Sequence, residues 1–243
     1  MKVIILAGGF GSRLSELTKS IPKPLVKIAN IPLIVHIINI YSKHGFNDFY
    51  ICTGYKSKVI ERYFHTSDRK KINYKSIHCD CTVTPIFTGI NTMTGGRVKM
   101  LKKFINNQSF FLTYGDGVAN INIKKLLEFH KRNKKIATVT TVRPPARFGE
   151  IVLDRDLVTS FKEKPQTSKG WINGGFFVMD PIFLKYISGK NSVLEKDPLE
   201  YLVKLKQLVA FKHKDFWQCV DTRRDIESLE VLYKKNNFTW LMK

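Results

Sequence analysis

Acidic residues are scarce in this chain: 20 Asp and Glu stand against 41 Lys and Arg, a formal net charge of +21. Such an excess suits anionic partners, whether nucleic acid, a membrane surface or phosphorylated small molecules. The basic residues are dispersed, however, among Arg69-Lys70-Lys71, Lys102-Lys103, the stretch 124–135 and Lys234-Lys235, with no tail and no aromatic-basic strip. They read as solvated faces, and nucleic acid is not an expected partner. Cysteine is scarce too. Cys79-Asp80-Cys81 is too tight for a zinc clip, and Cys52 and Cys219 supply no second pair, so free thiols in a reducing compartment are expected. No apolar run is long enough to span a bilayer, which removes a membrane from the expected partners. The apolar stretch at residues 3–7 has no cleavage-site pattern behind it. It reads as a buried strand, and the cytoplasm is the expected location. No repeat, low-complexity linker or compositional break divides the chain, so a single domain over residues 1–243 is expected.

What is present is a globular alternation of apolar and polar segments, with 43% hydrophobic residues. Residues 2–6 form an apolar run ending in Ala7-Gly8-Gly9, the pattern of a buried strand feeding a loop. Pro32 opens a helix with Ile34, Ile37, Ile38 and Tyr41 on one face and Gly45 as its stop. Residues 49–52 predict a second strand, followed by a helix to about residue 64. Residues 110–113 predict a third, followed by a helix carrying Ile123, Leu126, Leu127 and His130. Residues 136–142 predict a fourth. Beyond them, runs at 149–153, 157–162 and 172–178 with short turns predict antiparallel additions to the sheet. A last helix places Ile226, Leu229 and Tyr233 on one face. The class is α/β: a Rossmann-like open sheet, mixed but mostly parallel, flanked by helices.

Five places carry chemistry. The first is Leu6-Ala7-Gly8-Gly9-Phe10-Gly11-Ser12-Arg13-Leu14, with Pro22-Lys23-Pro24 behind it. Glycines directly after a strand let backbone N–H groups approach phosphates. No Gly-Lys-Ser/Thr follows, and the third glycine of a dinucleotide fingerprint is missing. Arg13 and Lys23 instead set two cations beside the loop, which suits a nucleoside triphosphate whose pyrophosphate departs. The second is Asp116, in a Gly-Asp-Gly turn at a strand end, where ligands bind in open α/β sheets. A divalent cation on a triphosphate would use such a carboxylate together with a second one. The third is Glu163-Lys164-Pro165, a carboxylate able to hold sugar hydroxyls beside a cation able to reach a phosphate. The fourth is Asn173-Gly174-Gly175, where glycine inside a strand marks a close approach, with room for a sugar as the expectation. Thr92 to Arg97 is the candidate base-reading segment. A helix start near Gly95 offers free N–H groups, and Arg97 can donate to a base carbonyl or a phosphate. An exocyclic amine on the base then needs a backbone carbonyl, for which the loop at residues 6–8 is the candidate.

The loop and Pro22-Lys23-Pro24 resemble the sugar nucleotidyltransferase family. Thr94-Gly95-Gly96-Arg97, Thr113-Tyr114-Gly115-Asp116-Gly117, Arg147-Phe148-Gly149, Glu163-Lys164-Pro165, Ile172-Asn173-Gly174-Gly175-Phe176-Phe177 and Phe216-Trp217-Gln218-Cys219-Val220-Asp221-Thr222 are similar to its glucose-1-phosphate cytidylyltransferase branch. The resemblance implies CTP and a sugar-1-phosphate as ligands, Mg²⁺ as cofactor, and a homo-oligomer. It implies nucleotide contacts from Leu6, Ala7, Gly8, Gly9, Gly11, Ser12, Arg13, Lys23, Thr92, Arg97 and Gly115. Sugar-phosphate contacts fall to Gly149, Glu163, Lys164, Asn173 and Gly174, and the metal to Asp116 and Asp221. Arg13, Lys23 and Lys164 are the implied catalytic residues. The chain departs from the branch in a shorter stretch between Tyr55 and Thr94, in Thr88-Gly89-Ile90, where the family has an Asp third, and in Ala29-Asn30, which stands for a glycine pair. The alternatives are the same transfer with dTTP or UTP, and a non-catalytic RNA-binding or regulatory protein on the same fold.

Overall fold

The first apolar run, β1 (Lys2–Leu6), is buried on both faces: Val3 and Ile5 pack into one apolar layer, Ile4 and Leu6 into the other. A strand covered on both sides belongs in the interior of a parallel sheet. In the computed structural model, residues 1–66, 71–74, 77–144, 150–162, 170–235 and 238–241 are described. After β1 the principal strands are β2 (Asp48–Thr53), β3 (Thr82–Phe87), β4 (Phe110–Tyr114), β5 (Gly117–Ala119), β6 (Ala137–Val142), β7 (Glu150–Asp154), β8 (Leu157–Lys162), β9 (Ile172–Met179), β10 (Leu208–Lys212) and β11 (Trp217–Cys219). The principal helices are α1 (Leu33–Ser42), α2 (Ser57–Thr66), α3 (Thr94–Met100), α4 (Ile123–Asn133), α5 (Asp197–Lys204) and α6 (Arg223–Lys234).

The main sheet has seven strands in the order β10-β6-β9-β4-β1-β2-β3. All of its pairings are parallel except those of β9, which runs antiparallel to both β4 and β6. This is the mixed, mostly parallel sheet expected from the sequence. One expectation is corrected. Of the three late runs, only β9 joins the main sheet, while β7 and β8 pair with each other as a separate two-stranded ribbon. The sequence reading also passed over β3 and β10, the two edge strands. Pro85 lies within β3, and an edge is where a strand tolerates a residue that cannot donate.

α1 is mostly apolar and is buried all round. Every residue from Leu33 to Tyr41 is buried, so the helix lies inside one layer rather than on its surface. That layer also holds Phe49, Phe111, Phe176, Leu229 and Trp240. The opposite layer packs Val98 and Leu101 with Phe110, Phe177, Phe183 and Leu202. From β1 the chain moves to β2 and β3 on one side, then returns to β4 on the other. The crevice beyond the carboxyl ends of β1 and β4 is therefore the switch point of the sheet, where open α/β folds receive ligands.

Candidate active site

The glycine loop leaves β1 at this switch point. Gly115 donates to the Leu6 carbonyl at 2.9 Å, which ties the loop after β4 to the end of β1. A Cβ on Gly115 would stand 2.9 Å from that same oxygen, so the approach needs glycine. Gly11 has φ +67°, and a Cβ there would meet Thr18 at 3.0 Å and Lys23 at 3.1 Å. Thr18 closes the turn by donating to the carbonyls of Gly11 and Leu14. Pro22 and Pro24 flank Lys23 at the head of a short 3-10 turn, Lys23–Leu25, and this rigid entry aims the lysine into the crevice.

There the Lys23 ammonium lies 2.8 Å from Asp116 Oδ2 and 2.8 Å from Asp221 Oδ1. Arg13, largely exposed, pairs with the other oxygen of Asp221. The two aspartates meet because β5 pairs with β11, setting Gly117 opposite Cys219, and because Val220 donates to the Asp116 carbonyl at 2.8 Å. Asp225 then accepts from the backbone N–H of both Asp221 and Thr222, closing a capping box at the start of α6. Burial opposes charge on Lys23, yet the aspartates outweigh it and hold the ammonium above its ordinary pKa. Burial would likewise raise Asp221, but Lys23 and Arg13 hold it below the ordinary carboxylate value. Burial and the neighbouring aspartates push the Cys219 thiol up to about 12, so the sulfur is neutral at physiological pH. Ligand atoms of Asp116, Cys219 and Asp221 all lie within 4.8 Å of one another, a group that could hold a metal ion. The donors that fit a hard divalent cation are the two carboxylates; a neutral thiol is a poor ligand for one.

Two cavities meet at this cluster. One, of about 630 Å³, is lined by the loop from Leu6 through Gly8, Gly9, Gly11 and Ser12 to Arg13, with Lys23, Thr92, Arg97 and Gly115. All the residues expected to contact nucleotide are thus brought together. The other, of about 910 Å³, is lined by Asn173, Gly174, Trp217, Cys219 and their neighbours. Tyr114, Asp116, Glu195 and Asp221 line both. Gly149, Glu163 and Lys164 lie outside the described residues.

The Thr94–Arg97 motif does something other than expected. The N–H groups of Gly95 and Gly96 are not free: both donate to the Ser192 carbonyl, at 2.9 and 3.2 Å, and Met93 donates to that of Lys190. A Cβ on Gly95 would stand 2.8 Å from Ser192 O, and one on Gly96 2.4 Å from Lys190 O. The glycines seat the 190–195 loop on α3. Arg97 is only 4% exposed. Rather than reaching a base or phosphate, its terminal nitrogens donate to the carbonyls of Gly8, Thr53, Gly89 and Ile90 and to Thr88 Oγ1, at 2.7–3.1 Å. It ties the glycine loop to the 88–90 loop. Burial pulls its pKa below the ordinary arginine value.

Asn173 and Gly174 line the larger cavity, as a sugar-contacting pair would, and also make close contacts within the protein. A Cβ on Gly174 would strike Val142 at 2.7 Å, and one on Gly175 the Tyr114 ring at 2.8 Å, so the close approach of those two side chains requires glycine at both positions. Asn173 donates to the Tyr114 hydroxyl at 3.1 Å, and Tyr114 donates to Glu195 Oε1 at 2.6 Å. Burial and Glu195 hold the Tyr114 phenol protonated, well above its ordinary pKa. Thr94 donates to Glu195 Oε2 at 2.8 Å. Sequence reasoning missed Glu195 entirely; its signal lies in Thr94, the first residue of a motif already singled out.

The profile of the family described as nucleotidyl transferase matches residues 2–237. Glucose-1-phosphate cytidylyltransferase of Salmonella typhi is 42% identical to this chain over 99% of it and 98% of the relative. Among solved structures, HddC from Yersinia pseudotuberculosis superposes with TM-score 0.73 at 24% identity, over 96% of this chain and 99% of that one. A UDP-glucose pyrophosphorylase complexed with UDP-glucose superposes with TM-score 0.73 at 19% identity, over 97% of this chain and 98% of that one. Those two share the fold. Matched by the profile along nearly its whole length and by a relative end to end, the chain belongs to the nucleotidyl transferase family.

Proposed function

We propose that this chain transfers CMP from CTP to glucose-1-phosphate, giving CDP-glucose and pyrophosphate. The single observation that carries the cytidine and glucose assignment is the 42% identity, end to end, to a glucose-1-phosphate cytidylyltransferase. The site supports the transfer itself: Arg13 and Lys23 stand with Asp116 and Asp221 at the seam between two cavities.

An oxygen of the sugar phosphate attacks the α-phosphorus of CTP in line. The new P–O bond forms as the α–β bridging bond breaks, and pyrophosphate leaves with the bonding pair. The nucleophile is already an anion, so no side chain has to remove a proton. The protein positions the partners and stabilises charge. Arg13, exposed where it lines the smaller cavity, holds the departing pyrophosphate. Lys23 neutralises the transferring phosphate. Lys164 aligns the acceptor phosphate, and Gly149, Glu163, Asn173 and Gly174 hold the sugar. Asp116 and Asp221 would hold Mg²⁺, which when bound would supply charge neutralisation on the triphosphate. We place the enzyme in the cytoplasm as a single-domain subunit of a homo-oligomer.

The test is pyrophosphate release with each NTP crossed against a panel of sugar-1-phosphates. CTP with glucose-1-phosphate is the expected best pair. A preference for dTTP or UTP would overturn the cytidine assignment and leave the transfer intact. No release with any pair, together with RNA binding that survives physiological salt, would favour the regulatory reading instead.

A further inference from the structure

The sequence gives Glu195 no role, yet its carboxylate stands where the two cavities join. Both of its oxygens are already oriented. The Tyr114 hydroxyl accepts from Asn173, so its one proton goes to Oε1. The Thr94 hydroxyl accepts from the Leu194 N–H, so its one proton goes to Oε2. A carboxylate oxygen can accept more than one hydrogen bond, and each of these retains acceptor capacity after its protein contact. Among the described residues, no ion pair involves Glu195. An acceptor-only group of negative charge repels phosphate and fits hydroxyls.

The Lys23–Asp116–Asp221 cluster stands at this same seam, and the glycine loop and residues 90–94 line the smaller cavity that leads away from it. On the reading above, the part of the nucleotide that joins base to α-phosphate, its ribose, spans from cavity to cluster. Thr94, which holds Glu195, and Val193, two residues before it, line only the nucleotide cavity, so one side of the carboxylate faces that cavity. Two adjacent oxygens match the vicinal 2′- and 3′-hydroxyls of a ribose, as acidic residues do in other nucleotide sites. Gly95 and Gly96 fit the same purpose, since their missing side chains let the 190–195 loop sit close enough to deliver the carboxylate.

We propose that Glu195, fixed by Tyr114 and Thr94, reads the ribose hydroxyls of the nucleotide and makes the enzyme selective for ribonucleotides over 2′-deoxyribonucleotides. This rests on the nucleotidyl transfer proposed above. The experiment compares kcat/KM for the preferred nucleotide and its 2′-deoxy analogue in wild type, Glu195→Gln and Glu195→Ala, with calorimetric binding of CTP and dCTP as a readout independent of turnover. Wild type should favour the ribonucleotide by roughly ten- to a hundredfold, the value of a hydrogen bond to a charged group. Both variants should bring that ratio towards one, with the KM for sugar-1-phosphate little changed. Tyr114→Phe should flatten it in part, as expected of a positioning residue. Equal use of ribo- and deoxyribonucleotide by wild type, or an unchanged ratio in both variants with a raised sugar-1-phosphate KM, would overturn the proposal. A wild type that prefers UTP to CTP but rejects dUTP would sink the cytidine assignment and uphold this one.

Discussion

Asp116 and Asp221 are joined through a single ammonium, that of Lys23, 2.8 Å from an oxygen of each. The same two carboxylates are the hard donors proposed for the metal. Asp116→Asn and Asp221→Asn should each lower turnover tenfold or more, the usual scale for disturbing a metal site, while the proteins remain folded. Near wild-type turnover for Asp116→Asn at saturating Mg²⁺ removes the metal assignment.

The bridging ammonium has a second consequence. A divalent cation and Lys23 compete for the same pair of oxygens until a phosphate arrives to take the lysine. Lys23→Met should therefore bind Mn²⁺ alone more tightly than wild type, read as a lower dissociation constant in an electron-paramagnetic-resonance titration. Its turnover should fall sharply all the same. Weaker Mn²⁺ binding by the variant shows that the carboxylates hold the metal elsewhere.

Arg97 is best tested by Arg97→Lys. A lysine cannot present the planar fork that reaches Gly8, Thr53, Thr88, Gly89 and Ile90 together. Leaving buried carbonyls unpaired should cost roughly 3 kcal/mol, or a Tm fall on the order of 10 °C. Because both loops frame the whole nucleotide cavity, kcat/KM should drop to a similar degree for CTP and UTP. A loss confined to CTP would return Arg97 to direct reading of the base.

The glycine loop, Lys23 and the two aspartates are legible in the sequence because each carries local chemistry: a turn after a strand, a proline-held cation, a carboxylate at a strand end. The purpose of Gly95-Gly96 is not. A glycine reports that something comes close, and here the visitor is the Lys190–Ser192 backbone, far along the chain. Glu195 is illegible for the same reason, since it is a lone acid whose partners, Thr94 and Tyr114, are brought by other elements. Among the strands, β3 hides behind Pro85, which only its edge position explains.

Ala29-Asn30 is a departure that the structure makes physical. The hairpin joining Lys27–Ile28 to Ile31–Pro32 turns on these two residues, with φ of +52° and +65°. Such turns favour glycine or asparagine, and alanine pays about 1–2 kcal/mol there. Ala29→Gly gives part of this back through the freer unfolded chain, about 0.4–1 kcal/mol. The variant should be more stable by about 0.5–1 kcal/mol, a Tm rise of about 2 °C. A fall in Tm means that the turn does not hold this conformation in solution.

His36, on α1, holds Trp240 near the end of the described chain. Its Nε2 lies 3.1 Å from the Ile28 carbonyl, and Trp240 donates its indole N–H to Nδ1 at 3.3 Å. Both contacts require one neutral tautomer, with the proton on Nε2 and a free lone pair on Nδ1. Burial drives the pKa of His36 down to about 4, against the ordinary 6.5. The unfolded chain therefore binds a proton at His36 where the folded chain does not. Stability rises with pH across the window from about 4 to 6.5 and is fully present above it. Over that window the difference amounts to about 3 kcal/mol at most. Wild type should lose Tm as the pH is lowered from 7.5 to 5. In His36→Gln, an amide can still accept from Trp240 and donate to Ile28 but cannot titrate. That variant should start from a lower Tm at pH 7.5 and fall less steeply. Parallel slopes for the two proteins would show that the acid sensitivity lies elsewhere, with His130 the next group to examine, since burial depresses its pKa too.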